Sequence, residues 1–206
     1  MNDIDTVWEL VELEWQEFQL VRNVGGRANC QDDRQTFERM RASQFMAWDQ
    51  ATRESYLRDL ETARIEGRNL LAEKYAHMMR YTAPLEYGRL EASLKKPDEK
   101  ALALVEEIVE TQMEWQEAYA ADYPLLAGRS RPVSADRGLS GDTSFKDYLR
   151  GELLTYSTET LKLYADQVRR MREQGVNMNL KIMEHTVALY GYSSIRQAED
   201  QLREEA

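Results

Sequence analysis

Five polar side chains fall where helical periodicity calls for apolar ones, and through them this chain could do chemistry. At 100° per residue, Glu14 lies between Val7 and Val21 on an otherwise apolar face. Gln44 sits among Phe37, Trp48 and Ala51, with Arg41 bordering the same face. Glu152 is flanked by Phe145, Tyr148, Leu149 and Tyr156, and Lys74 by Leu70, Leu71, Tyr75, Met78 and Tyr81. Ions are costly to bury unless paired or functional. Two outcomes stay open. In one, the four charges neutralise one another as a structural network. In the other, they line a polar pocket. There Glu14 or Glu152 acts as catalytic acid or base, and Arg41, Lys74 and Gln44 hold an anionic group.

Other constellations are weaker. His77 and His185 lie at the edges of their apolar faces and count as ligand-binding candidates. The Glu-x-x-His spacing of carboxylate-bridged metal bundles is missing: His77 follows Glu73 by four positions and His185 follows Glu184 directly, so no metal site is assigned. Gly-Arg pairs occur at Gly26-Arg27, Gly67-Arg68, Gly88-Arg89 and Gly128-Arg129. Arg27, before a helix start, is a candidate anion clamp. A helix-stop glycine followed by a solvated arginine explains these pairs equally well, and no phosphate-binding loop signature accompanies them. Cys30 matches no nucleophile signature, and its acidic neighbours do not favour a reactive thiolate.

The elements that must position these residues are helices. Apolar spacing and stop signals predict helices over about Asp5–Arg22, Arg34–Glu66, Asn69–Tyr81, Tyr87–Ser93, Asp98–Ala121, Ser144–Glu173, Asn177–Tyr190 and Ser194–Glu204. Gly67 and Gly175 end helices, and Asn69 and Asn177 cap the ones that follow. The stretch from Gly128 to Asp142 is a long loop, either a lid over a site or a tolerated insertion.

The order of elements repeats. Glu14-Trp15-Gln16-Glu17 recurs as Glu114-Trp115-Gln116-Glu117. Further along, Phe37, Tyr56, Arg64, Gly67, Asn69 and His77 align with Phe145, Tyr164, Arg172, Gly175, Asn177 and His185. The expectation is an all-α, multi-helix bundle forming one domain over 1–206. It consists of two diverged tandem helical repeats, about 1–96 and 97–206, arranged about a pseudo-twofold axis. A site between the halves would be natural.

Composition sets the outer bounds. The 206 residues carry a net charge of −10, with 42% hydrophobic and 31% charged residues, a globular balance. Strong negative charge disfavours nucleic acid as a partner. No apolar run approaches the roughly 18 residues of a membrane span. The acidic start lacks the features of a signal peptide, and a single cysteine fits a reducing compartment, so a cytoplasmic location is expected. The strings EWQEFQLVRNVGGRANCQDD, FERMRASQFMAW, SYLRDL, GRNLLAEKYAHMM, YLRGELLTYSTETL and YGYSS resemble the bacterial family known as domain of unknown function forty-one twenty-five. The resemblance implies a bacterial, all-helical domain and no activity, cofactor or functional residue. The first reading is therefore a small-ligand-binding or catalytic bundle whose acidic and basic pocket takes a small anionic metabolite. The alternative is a non-catalytic interaction or structural bundle, as a monomer or a homo-oligomer.

Overall fold

The computed structural model describes residues 3–22, 26–133 and 143–205, and among them every regular element is helical. The α-helices are α1 (Asp3–Leu20), α2 (Arg34–Met46), α3 (Gln50–Ile65), α4 (Leu70–Thr82), α5 (Pro84–Leu90), α6 (Glu99–Asp122), α7 (Pro124–Gly128), α8 (Phe145–Leu153), α9 (Thr158–Glu173), α10 (Met178–Leu189) and α11 (Ile195–Glu204). None is long and apolar enough to cross a membrane. Most of the loop expected as a candidate lid, residues 134–142, lies outside the described residues.

Local chemistry explains where the helices begin and end. Asn69 and Asn177 accept backbone N–H bonds from the first turns of α4 and α10, and Gly67 and Gly175 take positive φ at the stops before them. The left-handed backbone there lets Arg68 N–H and Val176 N–H reach back to Ala63 O and Met171 O, each at 2.8 Å. Two helices expected as continuous are broken. The Arg34–Glu66 segment divides at Ala47–Asp49 and the Ser144–Glu173 segment at Leu154–Ser157. Asp49 and Ser157 cap the helices that follow, accepting from Thr52 N and Thr160 N. These side chains compete with the helical backbone for its own donors, so each starts a new helix rather than extending the old one.

The core joins early helices to late ones. Neighbours in the core include α1 with α2 and α3, α6 with α8 and α9, α3 with α9, α4 with α8, and α2 with α10. Val7, Leu10, Phe45, Trp48, Tyr56, Val105, Ile108, Leu153, Tyr156, Leu161 and Tyr164 form its centre. A smaller cluster around Tyr119, Val187, Ile195 and Ala198 holds α11. Beneath it, the buried Glu199 carboxylate accepts from Leu125 N and Leu126 N at the start of α7.

The close approach of α4 to α8 depends on Gly151. A Cβ there would lie 2.9 Å from Met78 Cγ and 3.0 Å from the Lys74 carbonyl oxygen. Gly151→Ala is therefore expected to lower stability by about 1–3 kcal/mol despite the better helix propensity of alanine. Gly88→Ala in α5, where nothing lies within 4 Å, should be neutral or stabilising by up to about 1 kcal/mol. Urea unfolding of both variants checks the contrast.

Candidate functional site

Five of the residues singled out by sequence converge. Glu14 from α1, Arg41 and Gln44 from α2, Lys74 from α4 and Glu152 from α8 form one hydrogen-bonded cluster. Arg41 is its hub. Its Nε and Nη2 donate to the two Glu14 oxygens, Nη2 also donates to Glu152 Oε1 at 2.9 Å, and Nη1 donates to Gln44 Oε1 at 2.7 Å. Lys74 Nζ donates to Glu152 Oε2 at 2.5 Å, and Gln44 Nε2 donates to Glu152 Oε1 at 3.0 Å. Two tyrosines close the set. Tyr56 OH donates to Glu14 Oε1 at 2.7 Å and Tyr156 OH to Glu152 Oε1 at 2.8 Å. Glu14 is 0% exposed and Glu152 3%.

Two carboxylates face one guanidinium and one ammonium, so the enclosed charge sums to zero. Burial alone would raise the Glu152 carboxyl, but Arg41 and Lys74 overcome it and hold the group well below the usual carboxylate range. Burial likewise opposes the charge on Lys74, and the facing Glu152 carboxylate reverses the balance and raises its pKa. Burial, with the neighbouring carboxylates, pushes the Tyr56 and Tyr156 phenols well above their ordinary value, so both stay neutral donors.

Three other sequence candidates sit apart from this network. Arg27 donates to Asp32 Oδ1 and to the carbonyl of Gln31, tying down the connection after α1. His77 is buried one turn beyond Lys74 on α4 with no partner at Nε2 among the described residues. Burial lowers its pKa. His185, half-buried on α10, is lowered by the same cause. Among the described residues, no group of three His, Cys, Asp or Glu side chains comes together as a metal cage. A groove of about 500 Å³ is lined by Glu106, Val109, Glu110, Met113, Glu114, Glu117 and Lys146, none of which belongs to the cluster.

Sequence reasoning passed over Glu17. Its carboxylate crosses from α1 to the start of α4 and accepts from Leu70 N at 3.0 Å and Leu71 N at 3.4 Å. Glu17 follows Glu14 by three positions and so turns toward the same side of α1. That spacing was the available signal. Burial, aided by the nearby Glu14 and Glu73 charges, raises the Glu17 pKa to about 7, against the opposing pull of the two N–H bonds.

A family model described as "Protein of unknown function (DUF4125)" matches residues 5–200. No curated protein and no solved structure matches the chain.

The raised Glu17 pKa carries a sign that can be checked. Folding keeps a proton on this carboxyl at pH values where the unfolded chain has released it. Stability from this group is therefore full below about pH 4.5 and is lost as pH rises through about 7. Glu17→Gln should remove that decline, so the variant's urea-unfolding free energy relative to the parent's should rise from pH 4.5 to 7. A pH-independent difference would contradict the assignment.

Proposed function

The chain belongs to the family described as Protein of unknown function (DUF4125), which brings no activity with it, and we propose from the site itself that this is a non-catalytic helical protein whose buried ion cluster clamps two fused repeats in register. One observation carries the proposal: every oxygen of Glu14 and Glu152 already accepts a hydrogen bond from within the cluster. A general acid or base needs a free position facing a substrate atom. Here the positions are filled by Arg41, Gln44, Lys74 and two phenols.

The clamp acts between the repeats because its members come from both. Reciprocal contacts support the duplication. Gln167 Oε1 accepts from Asp49 N at 3.0 Å, and Asp59 Oδ2 accepts from Ser157 N at 2.9 Å. Each bond is the counterpart of the other when Asp49 is matched with Ser157 and Asp59 with Gln167. The Tyr56–Tyr156 ring contact has its counterpart in Tyr164–Trp48, with centroids 4.7 and 5.1 Å apart. Matched residues also touch each other directly, as expected beside a twofold axis. Trp48 meets Tyr156 with ring centroids 6.0 Å apart, and Gln44 donates to Glu152.

The same matching revises the alignment of the first helices. Tyr56 OH bonds Glu14, and Tyr164 OH receives a bond from Gln112. Asn69 Nδ2 donates to Glu17 O, and Asn177 Nδ2 to Trp115 O. Glu14 is thus matched with Gln112 rather than Glu114, and the repeated EWQE is out of spatial register. The charged cluster has a neutral opposite number: Gln112, Leu149 and Ile182 stand where Glu14, Arg41 and Lys74 stand in the first repeat. Only one of the two equivalent positions became an ion clamp.

A clamp and a catalytic pocket respond differently to charge removal. Arg41→Met leaves two buried carboxylates facing each other and should cost about 3–5 kcal/mol. Adding Glu14→Leu removes the buried carboxylate that loses its cation, since Glu152 keeps Lys74, and should recover a large part of that loss. Urea unfolding of the two variants gives the comparison. A double variant no more stable than Arg41→Met would contradict the clamp. So would a metabolite that stabilises the parent and is lost in a well-folded double variant.

A further inference from the structure

At the outer side of the clamp, two cations converge on one ring. Lys74 Nζ lies 3.7 Å from the centroid of Tyr148 and Arg131 Cζ lies 4.6 Å from it. Their circumstances differ. Lys74 is buried and shared with Glu152, whereas Arg131 is exposed and has no carboxylate partner among the described residues. Its place is nonetheless fixed, because the carbonyl of the next residue, Pro132, accepts from Phe145 N at 2.8 Å at the start of α8. That bond sets Arg131 beside the first turn of the helix that carries Tyr148.

The phenols around these cations are half-buried, and neither Tyr148 nor Tyr75 donates its hydroxyl to a described residue. Tyr75 leans on Phe18, with ring centroids 6.1 Å apart. Burial raises the Tyr75 pKa, the pull of Lys74 and Arg131 opposes it, and Tyr148 and Cys30 add to it. The clamp is neutral, so among the described residues Arg131 adds one unpaired positive charge at this corner, in a chain of net charge −10.

We propose that Arg131, Tyr148, Tyr75 and the edge of Lys74 form a binding site for a small oxyanion, a phosphate or carboxylate group. The guanidinium supplies charge-assisted N–H donors, and the two hydroxyls supply neutral O–H donors. The ammonium of Lys74 adds field from below without leaving Glu152. No bond is made or broken in this role. The site is independent of the clamp's strength, since Arg131 contributes nothing to the bonds that join the repeats.

The test uses the full chain with sodium phosphate and sodium succinate as probes, against sodium chloride at equal ionic strength. Saturable binding with a dissociation constant below about 1 mM is expected for at least one probe by calorimetry. The melting temperature should rise by about 3–5 °C at tenfold excess over that constant. Arg131→Ala should weaken binding at least tenfold and Tyr148→Phe severalfold, with unliganded melting temperatures near that of the parent. Arg129→Ala, which removes an arginine whose contact is a 4.0 Å approach to Glu205, should bind as the parent does. Failure of both probes to exceed chloride would overturn the site, as would parental affinity in Arg131→Ala. Neither result would bear on the clamp, whose test is the stability comparison of Arg41 and Glu14 variants.

Discussion

The architecture turns on one guanidinium. Arg41 leaves α2 and bonds Glu14 on α1 and Glu152 on α8 at once. An arginine suits this post because its planar fork presents five donors and keeps its charge under desolvation. Burial works against the Arg41 charge, yet the facing Glu14 and Glu152 carboxylates raise its pKa well above the ordinary value. Once Arg41 is enclosed, both carboxylates must also be enclosed, and Lys74, Gln44, Tyr56 and Tyr156 are recruited to satisfy what remains. Gly151 then follows as a packing requirement, because only a missing side chain lets α4 bring Lys74 up to Glu152.

Such a network adds little net stability compared with an apolar core of equal volume, since the Coulombic gain mostly offsets desolvation. Its contribution is selectivity among packings. An all-apolar junction between α2 and α8 would tolerate a slip of one turn. A slip here would strand two carboxylates away from Arg41 and Lys74. One such specifying contact is enough, and a second would add desolvation cost. Arg131 stands in contrast: it is exposed, rests on an aromatic ring and has no anion partner among the described residues.

The helices and the inward-facing ions were legible because both depend on periodicity. Asn69 and Asn177 marked helix starts, and Glu14, Arg41, Gln44, Lys74 and Glu152 stood out against apolar stripes. The breaks before Gln50 and Thr158 were harder, because the apolar pattern runs on through Trp48 and Tyr156 while the backbone turns to accommodate the Asp49 and Ser157 caps. The two EWQE strings share letters but not burial, as their apolar stripes imply: Glu14 is enclosed and Glu114 is exposed beside Arg172. His77 and His185 stood at the edges of their apolar faces and Arg27 before a helix start, and such border positions do not by themselves bring residues together. The tyrosine hydroxyls that complete the cluster carry no pattern in sequence at all, since an inward phenol and an inward phenyl give the same stripe.

Native-state hydrogen exchange tests the central claim most directly, because it reports whether the paired segments can open separately. If the cluster locks them, the slowest amides of α2, α3, α8 and α9 share one opening free energy equal to that of global unfolding. Amides of α8 to α10 exchanging through a cheaper opening, while α1 to α4 stay protected, would contradict it.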